Sequence, residues 1–221
     1  MLFRSVDSGS TDDTVALAHK HSARVLTNAW PGYAAQKNFA ASAASYDWIL
    51  SLDADEEVSP ELRRSIESLQ ASQPDCAGYE FPRLARYLGR WIRHSGWYPD
   101  RKIRLYDRRR GGWRGDFVHE SVAVDGDVGD LEGDLLHYTC DTLSEHVRRV
   151  DRYTDLAAAE LSRNGKTPGL ARLALSPAWA FVKTFLVQQG FRDGLHGFLI
   201  AWMAAFYVLL KYAKARAAAG V

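Results

Sequence analysis

The 221-residue sequence predicts an α/β fold, a mostly parallel sheet flanked by helices, followed by a helical tail suited to a membrane surface. Three observations carry this. Apolar runs of strand length alternate with helical stretches as far as Leu69. Two acidic turns, at Asp7 and Asp53, stand at the carboxyl ends of such runs, where open α/β sheets hold their ligands. From Leu143 onward the pattern is helical.

The elements follow in order. Val6 reads as the end of a buried strand, and Asp7-Ser8-Gly9-Ser10 as a turn. Ser and Asp residues there can cap a short helix running to about His21. Arg24 to Thr27 reads as a strand. Pro31-Gly32 breaks the chain before an Ala-rich helix over Tyr33 to Ala44. Trp48 to Leu52 is an apolar run consistent with a buried parallel strand. Ser59-Pro60-Glu61 supplies a cap, a first-turn proline and an early acid. Leu62, Ile66 and Leu69 then mark the buried stripe of a helix. Gly78 to Pro82, Lys102 to Tyr106, Val122 to Val124 and Leu135 to Tyr138 read as short strands. Leu143, Val147, Val150, Leu156 and Leu161 support a long helix, and Pro168 and Pro177 punctuate the remaining helical stretch. Leu195 to Leu210 is densely apolar and precedes Lys211, Lys214 and Arg216. It is shorter than the ~20 residues of a membrane span, so it reads as an interfacial helix near 195–212 or a core helix.

Composition is that of an ordinary globular chain, with a formal net charge of +1. That balance points to no nucleic-acid partner. Locally, Arg83 to Arg114 is rich in arginine and lysine, with only Asp100 and Asp107 opposed. Such a field suits phosphate groups or an anionic membrane surface. Cys76 and Cys140 lie outside any CxxC pattern, so neither a disulfide framework nor a zinc site is expected, and a cytosolic setting fits.

Asp53 and Asp55 carry the sharpest chemistry. Two carboxylates one residue apart, on a turn after a buried strand, can share a divalent cation. Magnesium or manganese prefers such oxygens and bridges to substrate phosphates. The EF-hand alternative lacks the glycine and further ligands it needs. A phosphatase D-x-D-x-[TV] motif fails at Glu57.

The combination is more specific. Val6-Asp7-Ser8-Gly9-Ser10-Thr11-Asp12-Asp13-Thr14, Gln36-Lys37-Asn38 and Trp48-Ile49-Leu50-Ser51-Leu52-Asp53-Ala54-Asp55-Glu56 together resemble the inverting family-2 glycosyltransferases of GT-A, Rossmann-like fold. Gly96-Trp97-Tyr98-Pro99, Arg104-Leu105-Tyr106, Val118-His119-Glu120 and Leu136-His137-Tyr138 look like the bacterial lipopolysaccharide-core glucosyltransferases within it. This resemblance implies a nucleotide-sugar donor whose base and ribose meet Asp7, with Ser8 and Gly9, while Lys37 and Asn38 face the nucleotide. It implies that Asp53 and Asp55 hold magnesium or manganese and the diphosphate, with His137 completing the metal site. Glu120 is implied as the base that deprotonates the acceptor, with Asp116 in reserve and His119 a further contributor. Arg101 and Arg104 are candidates to neutralise diphosphate or an anionic acceptor.

The expected division is a catalytic domain over 1–140 and a helical region over 141–221. The family's first strand would precede Val6 by one βα unit of ~30 residues, so 1–140 is read as lacking that strand. The expected acceptor is a lipid-linked saccharide at the inner face of the cytoplasmic membrane, with the protein peripheral there. Polyprenyl phosphate or a protein acceptor stays open, as does a non-catalytic sugar-nucleotide binder.

Overall fold

The computed structural model describes residues 4–21, 24–115 and 120–220. The elements are β1 (Arg4–Asp7), α1 (Thr14–Lys20), β2 (Arg24–Thr27), α2 (Tyr33–Ser42), β3 (Trp48–Leu50), β4 (Glu56–Val58) and α3 (Pro60–Ser72). Then come β5 (Gly78–Tyr87), β6 (Arg90–Trp91), β7 (Asp100–Asp107), β8 (Gly111–Arg114), β9 (Ser121–Val124), β10 (Val128–Asp130) and β11 (Leu135–Cys140). The helices α4 (Leu143–Arg163), α5 (Leu170–Val182) and α6 (Leu195–Ala218) complete the order, with a π-helical turn at Lys183–Val187 and a 3-10 turn at Gly190–Asp193.

The fold is mixed α/β. β1 and β2 pair in parallel, Val6 opposite Leu26. The largest sheet has the order β3-β7-β5-β11-β4, with β6 and β10 also on β5. β8 and β9 form an antiparallel pair. β3 departs from the parallel expectation, because it runs antiparallel to β7 with Ile49 opposite Tyr106. An apolar run reports burial and says nothing about strand direction. β5 passes through Pro82 and reaches Tyr87, beyond the end expected at the proline.

The described residues fall into two compact units. The first comprises those of Met1–Pro82 and Arg101–Leu135, the second those of Arg83–Asp100 and Leu136–Val221. In the first unit, Leu62, Ile66, Tyr79, Phe81, Leu105 and Leu135 form one core, with Trp48, Leu50 and Leu52 packed on it. Leu62 and Ile66 are the buried stripe of α3. Ser59 caps that helix by accepting from Leu62 N. A second cluster gathers Tyr106, Trp113 and Val122 against Ala34 of α2 and Ile49 of β3. These two cores hold β3, β7 and α2 around the Asp53 turn.

In the second unit α6 packs on α4 and α5. The buried face of α4 is Val150, Thr154 and Ala158. Leu143 and Val147 are exposed, and Lys214 of α6 reaches Asp151 O and Thr154 Oγ1 of α4. Lys214 is drawn into this packing by ion pairs of 2.6 Å to both Asp151 and Asp155. Arg216 donates to Pro168 O. Two of the three basic residues expected at a surface are therefore internal ties. α6 is 24 residues long, longer than the apolar run. Leu170–Val187 and Leu195–Ala218 are both long and apolar enough to cross a membrane by length and composition.

Candidate active site

The first acidic turn is built by Asp7. Its Oδ2 accepts from Gly9 N at 2.8 Å and Ser10 N at 3.0 Å, and its Oδ1 accepts from the Ser10 hydroxyl. Those hydrogen bonds, the Ser10 hydroxyl foremost, hold the Asp7 carboxyl below the usual range. Gly9 sits at φ +98°, a backbone state that side chains beyond glycine rarely take. Gln36 of α2, which is buried, ties this turn inward: its Nε2 donates to Ser8 Oγ and its Oε1 accepts from Asn28 Nδ2, each at 2.8 Å.

The second turn follows β3 and is closed by Glu56 N donating to Asp53 O at 3.0 Å. Asp53 Oδ1 meets Lys37 Nζ at 2.9 Å. Asp53 Oδ2 accepts from Arg104 Nη2 at 3.0 Å. Burial pushes the Asp53 carboxyl up, but Arg104 and Lys37 outweigh it and hold the group below its usual range. Glu56 anchors the arrangement: its side chain is fully enclosed, accepts from Arg104 Nη2 at 2.6 Å and takes the Asp53 N–H at 2.9 Å. Trp113 of β8 forms the wall, with Lys37 Nζ 4.0 Å and the Arg104 guanidinium carbon 5.0 Å from its ring centroid. Both distances are those of cation–π contacts.

Glu120 completes the cluster. Its Oε1 stands 3.7 Å from Lys37 Nζ. Its Oε2 is buried and has no hydrogen-bond partner among the described residues. Formally three carboxylates (Asp53, Glu56, Glu120) face two cations (Lys37, Arg104), so the cluster keeps a negative excess. A buried carboxylate oxygen without a donor is costly, and such a cost marks a group set aside for a ligand or proton.

The structure thus brings Lys37, Asp53, Arg104 and Glu120 together, four of the residues expected from sequence. Asp55 lies exposed on the same turn. Asn38 has another task in this structure: its amide exchanges two 2.9 Å hydrogen bonds with the Trp113 backbone, fixing α2 to β8. His137 lies on β11 within the second unit. Asp116 and His119 lie outside the described residues. Among the described residues no three acids, histidines or cysteines form a preassembled metal-ligand set. On the Asp53 turn, Lys37 and Arg104 hold Asp53, and Arg104 also holds Glu56.

The arginine-rich tract does not act as one field. Arg101 pairs with Glu80 and Asp130, Arg109 with Asp107 and Asp47, and Arg83 with Asp100. Arg108 donates to the carbonyls of Ala41 and Ala44. Arg104, with its side chain 4% exposed, is the member that enters the site. Glu56 and Trp113 were not singled out by sequence. In Asp53-Ala54-Asp55-Glu56-Glu57 every acid looks like a turn acid, and only the i+3 spacing from Asp53 hints at Glu56.

The chain is similar to known proteins along most of its length. Residues 5–124 match the family model described as Glycosyl transferase family 2. The chain is 33% identical over 218 residues to the lipopolysaccharide core biosynthesis glycosyltransferase LpsC of Rhizobium meliloti, spanning 95% of this chain and 80% of that protein. It is 34% identical over 222 residues to an uncharacterized glycosyltransferase of Rickettsia typhi, spanning 96% of this chain and 76% of that protein.

Proposed function

The chain belongs to glycosyl transferase family 2, and on that premise we propose that it moves glucose from a UDP-sugar onto a lipid-linked saccharide such as lipopolysaccharide core, with inversion. Glycosyl transfer, with a nucleotide-sugar donor and a saccharide acceptor, follows from the family. The sugar, the lipid link and the stereochemical course are this proposal's own.

The observation that supports it most is Glu120 Oε2, a buried carboxylate oxygen without a partner among the described residues, beside the Lys37–Asp53 pair. Inverting transfer needs one base to take the acceptor hydroxyl proton as that oxygen attacks the anomeric carbon. Glu120 Oε2 serves as that base. Lys37 carries the positive charge that the departing nucleoside diphosphate needs. The Asp7 turn receives the nucleoside, and Gln36 keeps Ser8 in position for it. Arg104, clamped by Glu56, orients Asp53.

Magnesium or manganese fits the donor set, because Asp53 and Asp55 offer carboxylate oxygens one residue apart on a single turn. Asp53 and Asp55 would hold it. When bound it supplies charge neutralisation for the diphosphate.

Purified protein given UDP-glucose, manganese and a core saccharide acceptor should transfer label to the saccharide. Asp53→Ala and Asp55→Ala should each reduce turnover by at least about a hundredfold. Full turnover in both variants would remove the metal assignment. Exclusive labelling of polyprenyl phosphate would replace the acceptor.

A further inference from the structure

The second unit contains a cavity that the transfer chemistry does not use. It measures about 430 Å³ and lies among α4, α5, the π-helical turn and α6, within the size range of small-molecule sites. Its walls are mostly apolar, with Val150, Ile200, Met203, Ala204 and Val208 along them. Two cations, Arg149 and Lys183, belong to the lining, and no aspartate or glutamate does. Glu160 acts on the Tyr207 hydroxyl but is not a lining residue.

The cations differ in their commitments. Arg149 spends one Nη2 bond on Thr139 O at 2.7 Å. Lys183 is exposed and has no carboxylate partner among the described residues. His146, also in the lining, is kept neutral by burial, helped by Arg149. Its Nδ1 is 2.9 Å from the Tyr87 hydroxyl. The positive charge of the cavity is therefore carried by Arg149 and Lys183.

The same helices carry exposed apolar side chains. Leu175, Trp179 and Leu186 on α5 and its continuation are more than half exposed, as are Leu195 and Trp202 on α6. An apolar chamber with a cationic, acid-free lining, set in an apolar exterior, matches one ligand chemistry. We propose that this cavity binds a phosphate-bearing lipid, its phosphate on Lys183 and Arg149 and its alkyl part along Val150, Met203 and Val208.

The inference is independent of the transfer reading, because it concerns the second unit and is measured without donor or metal. Calorimetric titration of the full chain would use dodecyl phosphate below its micellar concentration, with inorganic phosphate and dodecyl maltoside as parallel arms. Dodecyl phosphate should bind at one site, at least about tenfold tighter than either of the others, since only it supplies both the charge and the chain. Lys183→Glu should weaken dodecyl phosphate by about tenfold or more and leave dodecyl maltoside unchanged. Ala204→Trp, checked for native circular dichroism, should remove dodecyl phosphate binding by filling the chamber. Equal affinity for dodecyl maltoside would overturn the proposal, as would inorganic phosphate binding equally well. Unchanged dodecyl phosphate affinity in Lys183→Glu would also overturn it.

Discussion

Arg104 is nearly sealed from water and sits between two carboxylates, Asp53 at 3.0 Å and Glu56 at 2.6 Å. Removing one partner of a buried pair strands the other charge, at a cost of about 3–5 kcal/mol. Glu56→Gln should therefore lower stability by that order in denaturant unfolding, and should also reduce activity by releasing Asp53. Glu57→Gln, on an exposed neighbour, should do neither. A second residue-scale effect concerns His146, whose pKa is lowered from 6.5 to about 4 by burial and then by Arg149. The unfolded chain binds this proton at a higher pH than the folded one. Stability from this group is thus full above about pH 6.5 and falls as pH drops toward 4. Thermal melts across that window should show a shallower acid loss for His146→Gln than for the wild type. At this scale residue type and position singled out Lys37, Asp53 and Glu120, which the structure sets side by side. The sequence was not legible at Glu56 and Trp113. Their importance comes from contacts with Arg104, which is 48 and 9 positions away from them in the chain.

The helices of the first unit read well because their ends are written locally. Ser59, Pro60 and Glu61 announce α3, and Ser59 Oγ accepts from both Leu62 N and Asp134 N. In the second unit, α4 starts on a capping box in which Thr142 accepts from Glu145 N and Glu145 returns the bond. Thr142→Ala should cost about 1 kcal/mol in denaturant unfolding, and Ser59→Ala more, because it also strands Asp134 N. Strand direction was harder to read. The Trp48–Leu50 segment carries the apolar signal of a buried strand, but its antiparallel pairing with β7 depends on residues 55–59 positions later. β5 hid its length behind Pro82, since a proline normally ends a strand. The apolar positions of α4 announced a helix without saying which of them would be buried. Large apolar residues drew attention, while close helix packing used Thr154 and Ala158. Gly197 shows the same economy of size on α6, because a Cβ there would collide with the Gly190 carbonyl oxygen.

Across the whole molecule, chemistry-bearing carboxylates belong to one unit and the exposed apolar helices to the other. Leu175 and Trp179 are 69% and 61% exposed on α5. Leu175→Glu with Trp179→Glu should reduce co-sedimentation with anionic vesicles, while transfer to a water-soluble acceptor analogue stays intact. Unchanged sedimentation would detach the helical unit from any membrane role. The arginine-rich tract had pointed to such a surface as one field, but Arg83, Arg101, Arg104, Arg108 and Arg109 are drawn into separate ion pairs. Composition reports charge, and only folding decides which charges are already answered. The central claim is that Glu120 is the base of a family-2 glycosyl transfer, and Glu120→Gln tests it most directly. Single-turnover transfer from UDP-glucose should fall by about 10²–10⁴, with UDP affinity and thermal stability near wild type. Transfer within twofold of wild type in that variant would contradict the account.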